Sequence, residues 1–223
     1  MTSNLFFQAI CKIILGIALV SALIFIPAGT FSFANGWVLT IILFVPMMIA
    51  GIVLMRKNPE LLKRRLNAKE TQKEQRLVVA LSALMFIAGF VVAGLDFRFG
   101  WSDFPNAVVW SAVAVFLLGY LLYAEVIREN AYLSRTIEVQ ENQSLIDTGL
   151  YAFVRHPMYT ATILLFLSMP LILGSLWAFL IFLLYPFIIA RRIKFEEEFL
   201  EKKLVGYHEY KQKVKYRLIP FLW

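Results

Sequence analysis

Long apolar stretches separated by short polar segments run along the whole chain. The apolar stretches cover residues 6–26, 37–55, 77–95, 107–126, 158–173 and 176–190. Since about 20 apolar residues form a helix that crosses the hydrocarbon core of a bilayer, this pattern predicts about six membrane spans. Only Gly174 and Ser175 separate the last two stretches, which predicts a tight helical hairpin, and Pro46, Pro170 and Pro186 predict kinks rather than breaks. The predicted fold is therefore all-α, a polytopic membrane helix bundle.

The basic residues fall almost entirely on one side of these spans. Of the 22 lysines and arginines, only Arg98 lies in a connection on the opposite side; the others lie near the N-terminus, in residues 56–76 and 128–155, or after residue 190. Because cytoplasmic loops retain Lys and Arg during insertion, both termini and both polar loops are predicted to be cytoplasmic. The net charge of +7, placed beside apolar spans, predicts contact with anionic membrane lipids and no binding of nucleic acid.

The composition excludes a water-soluble globular protein. Hydrophobic residues make up 60% of the chain and charged residues 17%, against about 45–50% and about 25% in soluble domains. Cys11 is the single cysteine, so no internal disulfide can form. Since His156 and His208 are the only histidines, no metal site is expected.

The first polar loop predicts a helix on the membrane surface. Asn58 followed by Pro59 has the pattern of a helix cap and first turn, and the leucines and basic residues that follow predict a basic interfacial helix near residues 59–76. This helix serves either as an orientation signal or in a substrate contact, and the sequence leaves both open.

The second polar loop and the tail surround the final hairpin. Residues 130–149 predict a binding loop, with a brief strand-like alternation at residues 136–140. After residue 190 the last span is expected to continue as a charged cytoplasmic helix through Leu204, stop at Gly206 and restart at Tyr207.

Two clusters of polar residues lie at the open end of the hairpin. Arg155, His156 and Pro157 precede the fifth span, and residues 191–198 follow the sixth. Because antiparallel helices place the start of one beside the end of the other, these clusters are predicted to be neighbours. Pro157 in the first helical turn, with Arg155, predicts a site for a carboxylate or phosphate. The alternative is that Arg155 contacts lipid phosphate and His156 caps the helix.

The acidic run Glu196, Glu197 and Glu198 follows the sixth span, and Arg192 lies one helical turn before Glu196. Carboxylates at this depth can accept hydrogen bonds from a ribose or hold an ammonium or sulfonium group. The alternative is a solvated helix with internal ion pairs.

Five short motifs follow one another at the C-terminal end of the chain. They are Gly149-Leu150-Tyr151, residues 155–159 (Arg-His-Pro-Met-Tyr), residues 192–200 (Arg-x-x-x-Glu-Glu-x-x-Leu), residues 206–210 (Gly-Tyr-His-Glu-Tyr) and residues 216–220 (Tyr-Arg-Leu-Ile-Pro). In this order they resemble the isoprenylcysteine carboxyl methyltransferase family, prokaryotic members especially, which is related to the membrane phospholipid N-methyltransferases. The resemblance covers roughly residues 130–223, and it implies a prokaryotic plasma membrane as the location.

The resemblance implies S-adenosyl-L-methionine as the methyl donor. It divides the chain into N-terminal membrane spans 1–4, residues 1–127, and a cofactor-binding catalytic core, residues 128–223. The residues that it matches to cofactor binding are Gln140, Gln143, Ser144, Leu145, Ile146, Tyr151, His156, Pro157, Met158, Tyr159 and Glu196. It matches Arg192 to the substrate. Arg155 is the expected catalytic residue for a carboxylate acceptor, with Arg192 as the alternative; for an amine acceptor, Glu197 or His156 is the expected base.

The predicted function is a membrane-embedded methyltransferase that uses S-adenosyl-L-methionine and a lipophilic acceptor. The acceptor is either an isoprenylcysteine-like carboxylate, small or attached to a prenylated protein, or the amine of a phospholipid. Two other classes stay open on the sequence: an NADPH-dependent sterol-type membrane reductase, which has a comparable arrangement of spans, and a non-catalytic membrane protein.

Overall fold

The computed structural model of the protein describes residues 2–67, 73–134 and 136–223. The helices are α1 (Thr2–Ala28), α2 (Ala34–Lys57), α3 (Pro59–Leu66), α4 (Lys73–Phe99), α5 (Asn106–Glu129), α6 (Pro157–Ile172), α7 (Leu176–Phe182), α8 (Tyr185–Lys203) and α9 (Tyr207–Lys213). A 3₁₀ turn covers Gly149–Ala152, and none of the described residues forms a strand. The all-α prediction is confirmed.

Five helical segments are long and apolar enough to cross a membrane. They are Leu5–Ala28, Ala34–Lys57, Gln75–Phe99, Asn106–Glu129 and Leu176–Lys203, the last formed by α7 and α8 together. Only 17 to 33% of the residues in their most apolar windows are buried within the protein. The apolar side chains that face outward therefore need lipid around them, as in an integral membrane protein. The predicted fifth span, α6, is a shorter apolar helix of 16 residues.

The prolines act differently at the three predicted kinks. Pro46 and Pro170 lie inside continuous helices, as expected. At Pro186 the helix is interrupted instead: α7 ends at Phe182 and α8 begins at Tyr185, with Leu183 and Leu184 between them. Proline has no N–H for the carbonyl four residues earlier and its ring clashes with that carbonyl, so the break falls just before Pro186.

Helix packing depends on glycines where two helices approach most closely. A Cβ atom on Gly89 of α4 would lie 2.3 Å from the Phe182 ring of α7, and one on Gly94 would lie 2.4 Å from the backbone oxygen of Ile24 in α1. Small residues at such crossings let helix backbones come close, which replaces the hydrophobic driving force that is missing in lipid. Phe182 is completely buried in the main core of the bundle.

The closed end of the hairpin is tied to α4 by a buried carboxylate. Gly174 has φ +73°, and Ser175 accepts a hydrogen bond from the amide of Ala178, which caps α7. The Ser175 hydroxyl donates to the Asp96 carboxylate, which also accepts from the amide and hydroxyl of Ser102, both at 2.7 Å. The predicted turn at residues 174–175 is confirmed, and its position fixes the other end of the hairpin, where the polar clusters lie.

The predicted interfacial helix is shorter than expected. Asn58 caps it by accepting from the amide of Leu61 at 3.0 Å, as the sequence indicates, but α3 ends at Leu66 and residues 73–76 already belong to α4. Asn67, next along the chain, has an extended backbone (ψ 116°), which stops the helix. The rest of the predicted segment, residues 68–72, lies outside the described residues.

Candidate functional site

A cavity of about 840 Å³, open on one side, lies at the end of the bundle that carries the polar clusters. Its walls come from the loop after α5, the start of α6, the charged part of α8, and α9. The predicted site residues that line it are Gln143, Ser144, Leu145, Ile146, Tyr151, Arg155, His156, Met158, Tyr159, Arg192 and Glu196. The hairpin therefore brings the two polar clusters to one cavity, as its topology predicts, and the volume of about 840 Å³ includes the open space at the mouth of this cavity.

Three predicted site residues do not line the cavity: Gln140, Pro157 and Glu197. Pro157 is the first residue of α6, the position predicted for it. Gln140 holds the loop together through two hydrogen bonds. Its side-chain amide donates to the backbone oxygen of Tyr132 at 2.8 Å, and its backbone amide donates to Gln143 Oε1 at 2.9 Å. Gln140 thus stabilises the loop that forms the cavity wall, although it does not line the cavity itself.

Glu197 is the centre of a buried network of charges. Its side chain is 4% exposed, and Oε1 accepts from Arg155 Nε at 2.7 Å and lies 3.1 Å from His156 Nε2. Arg217 Nε donates to its other oxygen at 3.1 Å. A carboxylate with its lone pairs engaged in this way balances the buried positive charge beside it. This geometry favours a positioning role for Glu197 over that of a base.

The same network occupies the guanidinium of Arg155. Arg155 is buried, and besides Glu197 its Nη1 donates to the backbone oxygen of Val214 at 2.6 Å. The backbone amides of Arg155 and His156 donate to the carbonyls of Tyr216 and Arg217, both at 2.9 Å. The guanidinium thus joins α6, α8 and the C-terminal tail, and its charge is already balanced by Glu197.

A second chain of contacts joins α4, α6 and α8 at the cavity wall. The Tyr159 hydroxyl donates to Glu196 Oε2 at 2.5 Å and accepts from Arg192 Nε at 2.8 Å. Arg192 Nη1 donates to Gln75 Oε1 at 3.3 Å. Tyr159 is buried, whereas Arg192 and Glu196 are half-buried and border the cavity. One phenol of α6 therefore orients an arginine and a carboxylate that lie one turn apart on α8, which suits a site that must place two ligands.

The loop wall is fastened to the rest of the protein at both ends. From α3, Arg64 Nη2 donates to the backbone oxygen of Ala131 at 2.8 Å, and Arg65 Nη1 donates to that of Ser134 at 3.2 Å. The basic helix α3 therefore holds the cavity loop. This role differs from both roles predicted for it, an orientation signal and a substrate contact. The predicted strand-like alternation at residues 136–140 forms no strand, because none of the described residues forms a neighbouring strand with which it could pair.

The far end of the loop turns at Gly149 and allows no side chain there. Gly149 has φ +55°, and a Cβ atom would lie 1.7 Å from Glu129 Oε1. The Glu129 carboxylate accepts from the amide of Leu150 at 2.9 and 3.1 Å, at the start of the 3₁₀ turn that carries Tyr151. Gly149 thus gives the chain both the left-handed conformation and the space that the carboxylate fills.

Gly149→Ala is expected to lower stability by about 2 kcal/mol, because the alanine must adopt positive φ and displace Glu129. The measurement is the midpoint of thermal unfolding in detergent. Gly51→Ala is the control, since no atom lies within 4 Å of the position of its Cβ. Equal midpoints for the two variants would contradict the steric role of Gly149.

Tyr151 is fixed in the cavity wall from both sides. Its hydroxyl accepts from Asn130 Nδ2 at 2.9 Å, and its backbone oxygen accepts from the Tyr210 hydroxyl at 2.7 Å. Burial raises the pKa of the Tyr151 phenol to about 12. This side chain is therefore neutral at physiological pH and acts as a wall and a hydrogen-bonding group.

Several residues of the site were not predicted. Gln75 binds Arg192, Arg64 and Arg65 hold the loop, and Tyr207 and Tyr210 line the cavity. Gln75 carried a weak signal, as a neutral polar residue at the entrance of an apolar span. Tyr207 and Tyr210 lie in a recognised motif, but nothing in the sequence placed them at the cavity. Among the described residues, no three His, Cys, Asp or Glu side chains are grouped as metal ligands would be.

The fold and the cavity define a polytopic membrane protein with a ligand site where the helix ends become polar. Residues 107–205 match the model of the phospholipid methyltransferase family, which covers the group of isoprenylcysteine carboxyl methyltransferases and phospholipid methyltransferases. This part of the chain is similar to that family, and the resemblance seen in the motifs is confirmed. Together with the apolar helices, the match supports a membrane methyltransferase. No curated protein matches the chain.

The matched region differs from the expected one at both ends. It begins with α5 instead of near residue 130, and it stops before α9. The inclusion of α5 has a structural reason, since α5 packs along α6 more extensively than any other pair of helices and supplies Glu129 beneath the loop. The division predicted at residues 127 and 128 falls within the last turn of α5 and stays a prediction.

Proposed function

We propose that the protein transfers the methyl group of S-adenosyl-L-methionine to a lipophilic acceptor at the cytoplasmic surface of the membrane. The observation that carries the proposal is the cavity that contains Tyr159, Arg192 and Glu196 at the polar end of the apolar hairpin. The family match supplies the class of reaction.

The residues present suit a sulfonium-bearing nucleoside. Glu196 places a carboxylate at the wall, where it can accept from ribose hydroxyls or an ammonium group, while Leu145, Ile146 and Met158 supply apolar surface for a purine. Tyr207, also in the wall, has a buried hydroxyl without a partner among the described residues.

When bound, the donor supplies an electrophilic methyl group whose transfer is an in-line displacement. The protein then has to position the acceptor and exclude water. For a carboxylate acceptor, Arg192 orients the oxygen, and no proton has to move. Arg192 suits this role better than Arg155, because Arg192 is half-buried at the cavity border whereas Arg155 is buried.

A phospholipid amine is the second candidate acceptor, and the description of the matching family favours it. An amine loses a proton on methylation, so this reaction needs a base. His156 lines the cavity and is the candidate base, with its Nε2 3.1 Å from Glu197 Oε1. Glu197 is less suited, because Arg155, His156 and Arg217 surround its carboxylate.

The proposed orientation places the cavity at the cytoplasmic surface. The cavity walls come from residues 128–155 and from residues after 190, which lie on the side of the spans that carries every lysine and arginine except Arg98, and cytoplasmic loops concentrate such residues. A lipophilic acceptor would enter laterally from the inner leaflet while the donor enters from water. This geometry gives a reason for the enzyme to be embedded in the membrane of a prokaryotic cell.

The test is calorimetric titration of the purified full-length chain in lipid nanodiscs with S-adenosyl-L-methionine and, separately, with NADPH. Binding of the first and not of the second is expected. Glu196→Gln is expected to weaken donor binding about tenfold, because a hydrogen bond to a charged group contributes roughly 1.5–3 kcal/mol. The exposed Glu198→Gln, two positions along the same helix, is the matched control. Binding of NADPH alone would indicate a reductase instead.

The acceptor is identified with methyl-labelled donor and nanodiscs that contain either farnesylcysteine or phosphatidylethanolamine. A methyl ester releases its label in alkali, whereas a methylated amine retains it. Label released by alkali in the farnesylcysteine arm supports the carboxylate reaction, and stable label in the phospholipid arm supports the amine. Donor binding without label in either arm would overturn both acceptors.

A further inference from the structure

One buried polar atom in the cavity wall has no partner. Tyr207, the first residue of α9, is 3% exposed, and its hydroxyl forms no hydrogen bond to any described residue. Buried hydroxyls almost always have a hydrogen-bond partner, so an exception in a ligand cavity points to a partner that arrives with the ligand. Tyr207 lies outside the segment that matches the family.

The neighbouring tyrosine shows that the arrangement is specific. Tyr210 lies one turn further along α9, its ring is 5.8 Å from that of Tyr207, and its hydroxyl donates to the backbone oxygen of Tyr151 at 2.7 Å. Both rings line the same cavity. Tyr210 therefore holds the wall together, whereas the hydroxyl of Tyr207 is buried in this wall without a partner among the described residues.

The surface around Tyr207 is apolar and partly aromatic. Tyr207 packs with Leu204, Tyr210 and Val214, and the loop residue Leu145 and the helix residue Leu200 border this cluster. Such a surface favours a flat heterocycle over a charged group. Burial, with the charges of the nearby glutamates, raises the pKa of the Tyr207 phenol, so the hydroxyl stays neutral and can donate.

We propose that the Tyr207 hydroxyl forms a hydrogen bond with the adenosine moiety of the methyl donor and thereby helps to select an adenosine-bearing ligand. This inference rests on the proposed function. The adenine edge and the ribose both carry atoms that can pair with a phenol, and the apolar cluster provides the contact surface for the base. Tyr207 is a ligand-binding residue in this account and takes no part in the transfer itself.

The test is Tyr207→Phe in the full-length chain, titrated with S-adenosyl-L-methionine and with 5′-methylthioadenosine, which lacks the amino-acid end. Affinity for both ligands is expected to fall about fivefold, as for the loss of one neutral hydrogen bond. The unfolding midpoint without ligand should stay equal or rise, because a buried hydroxyl without a partner is removed. Tyr216→Phe is the matched control, since Tyr216 is half-buried, stacks near Phe221 and does not line the cavity.

The outcomes separate this contact from the proposed function. A wild-type protein that binds neither ligand overturns the function and the contact together. A wild-type protein that binds both, with Tyr207→Phe binding them equally well, overturns the contact alone. Weaker binding of the intact donor without weaker binding of 5′-methylthioadenosine would assign the hydroxyl to the amino-acid end and overturn the adenosine contact. A lower unfolding midpoint together with weaker binding would indicate a structural role and would also overturn it.

Discussion

Replacing Glu197 by glutamine is expected to destabilise the protein by about 3–5 kcal/mol, the usual effect of breaking a buried ion pair. The substitution keeps the size of the side chain but leaves Arg155, itself buried, without its counter-charge. The amide would also place a donor against Arg217 or His156, where the carboxylate now accepts. The midpoint of thermal unfolding should fall by roughly 10 °C, since about 2–4 °C corresponds to each kcal/mol in a chain of this size.

Glu198→Gln is the control, because Glu198 is exposed on the same helix and its substitution changes the net charge by the same amount. Its unfolding midpoint should stay within about 1 °C of the wild type, as for most surface substitutions. If Glu197→Gln unfolded at the wild-type midpoint but lost turnover, Glu197 would be the catalytic base predicted for an amine acceptor. The positioning role would then be wrong.

Tyr159→Phe is expected to lower the turnover number roughly 10²-fold, the effect that a misplacement of about 1 Å can have on a transfer reaction. Arg192 and Glu196 lie one turn apart on α8, and the phenol accepts from the first at 2.8 Å and donates to the second at 2.5 Å. Without it, neither side chain keeps the orientation that these hydrogen bonds give it. The measurement is the initial rate of label transfer at saturating donor and acceptor.

The control for this variant is Tyr185→Phe, which also removes a buried hydroxyl that forms a hydrogen bond, here to Thr162 Oγ1 at 3.0 Å. Tyr185 belongs to the core and does not line the cavity, so its loss should alter stability more than turnover. Equal rates for Tyr159→Phe and the wild type would show that the phenol does not position Arg192 and Glu196 for the transfer. Equal loss of rate in both variants would show that the effect is one of general stability.

The prediction of one shared site for Arg155 and Glu196 came from topology. Two apolar stretches with two residues between them have to run antiparallel, so the groups at their open ends meet, and both residues line the cavity. The contacts between individual side chains could not be predicted in this way. Arg155 and Glu197 were predicted as catalytic residues, but no pattern in the sequence shows that they pair with each other at 2.7 Å and with the tail through Val214 and Arg217.

The loop and the basic helix show where pattern reasoning stops. The alternation at residues 136–140 has the period of a strand, but a strand needs a partner, and the local sequence does not say whether one is near. Likewise the arginines of α3 are explained by orientation in the membrane until the fold places carbonyls of the loop beside them. Gly149 was recognised as part of a short motif, whereas its contact with Glu129 depends on where α5 ends.

The sequence by itself determined that the chain is a helical membrane protein, where its spans lie, how the final hairpin folds back and which family its C-terminal part resembles. These properties depend on local features: apolar length, turn residues, the distribution of charge and short motifs at fixed spacing. The tertiary structure alone decided which charges balance one another, which tyrosine joins Arg192 to Glu196 and which hydroxyl is left for a ligand. Those contacts join residues far apart in the chain, and their geometry is fixed only when the helices pack.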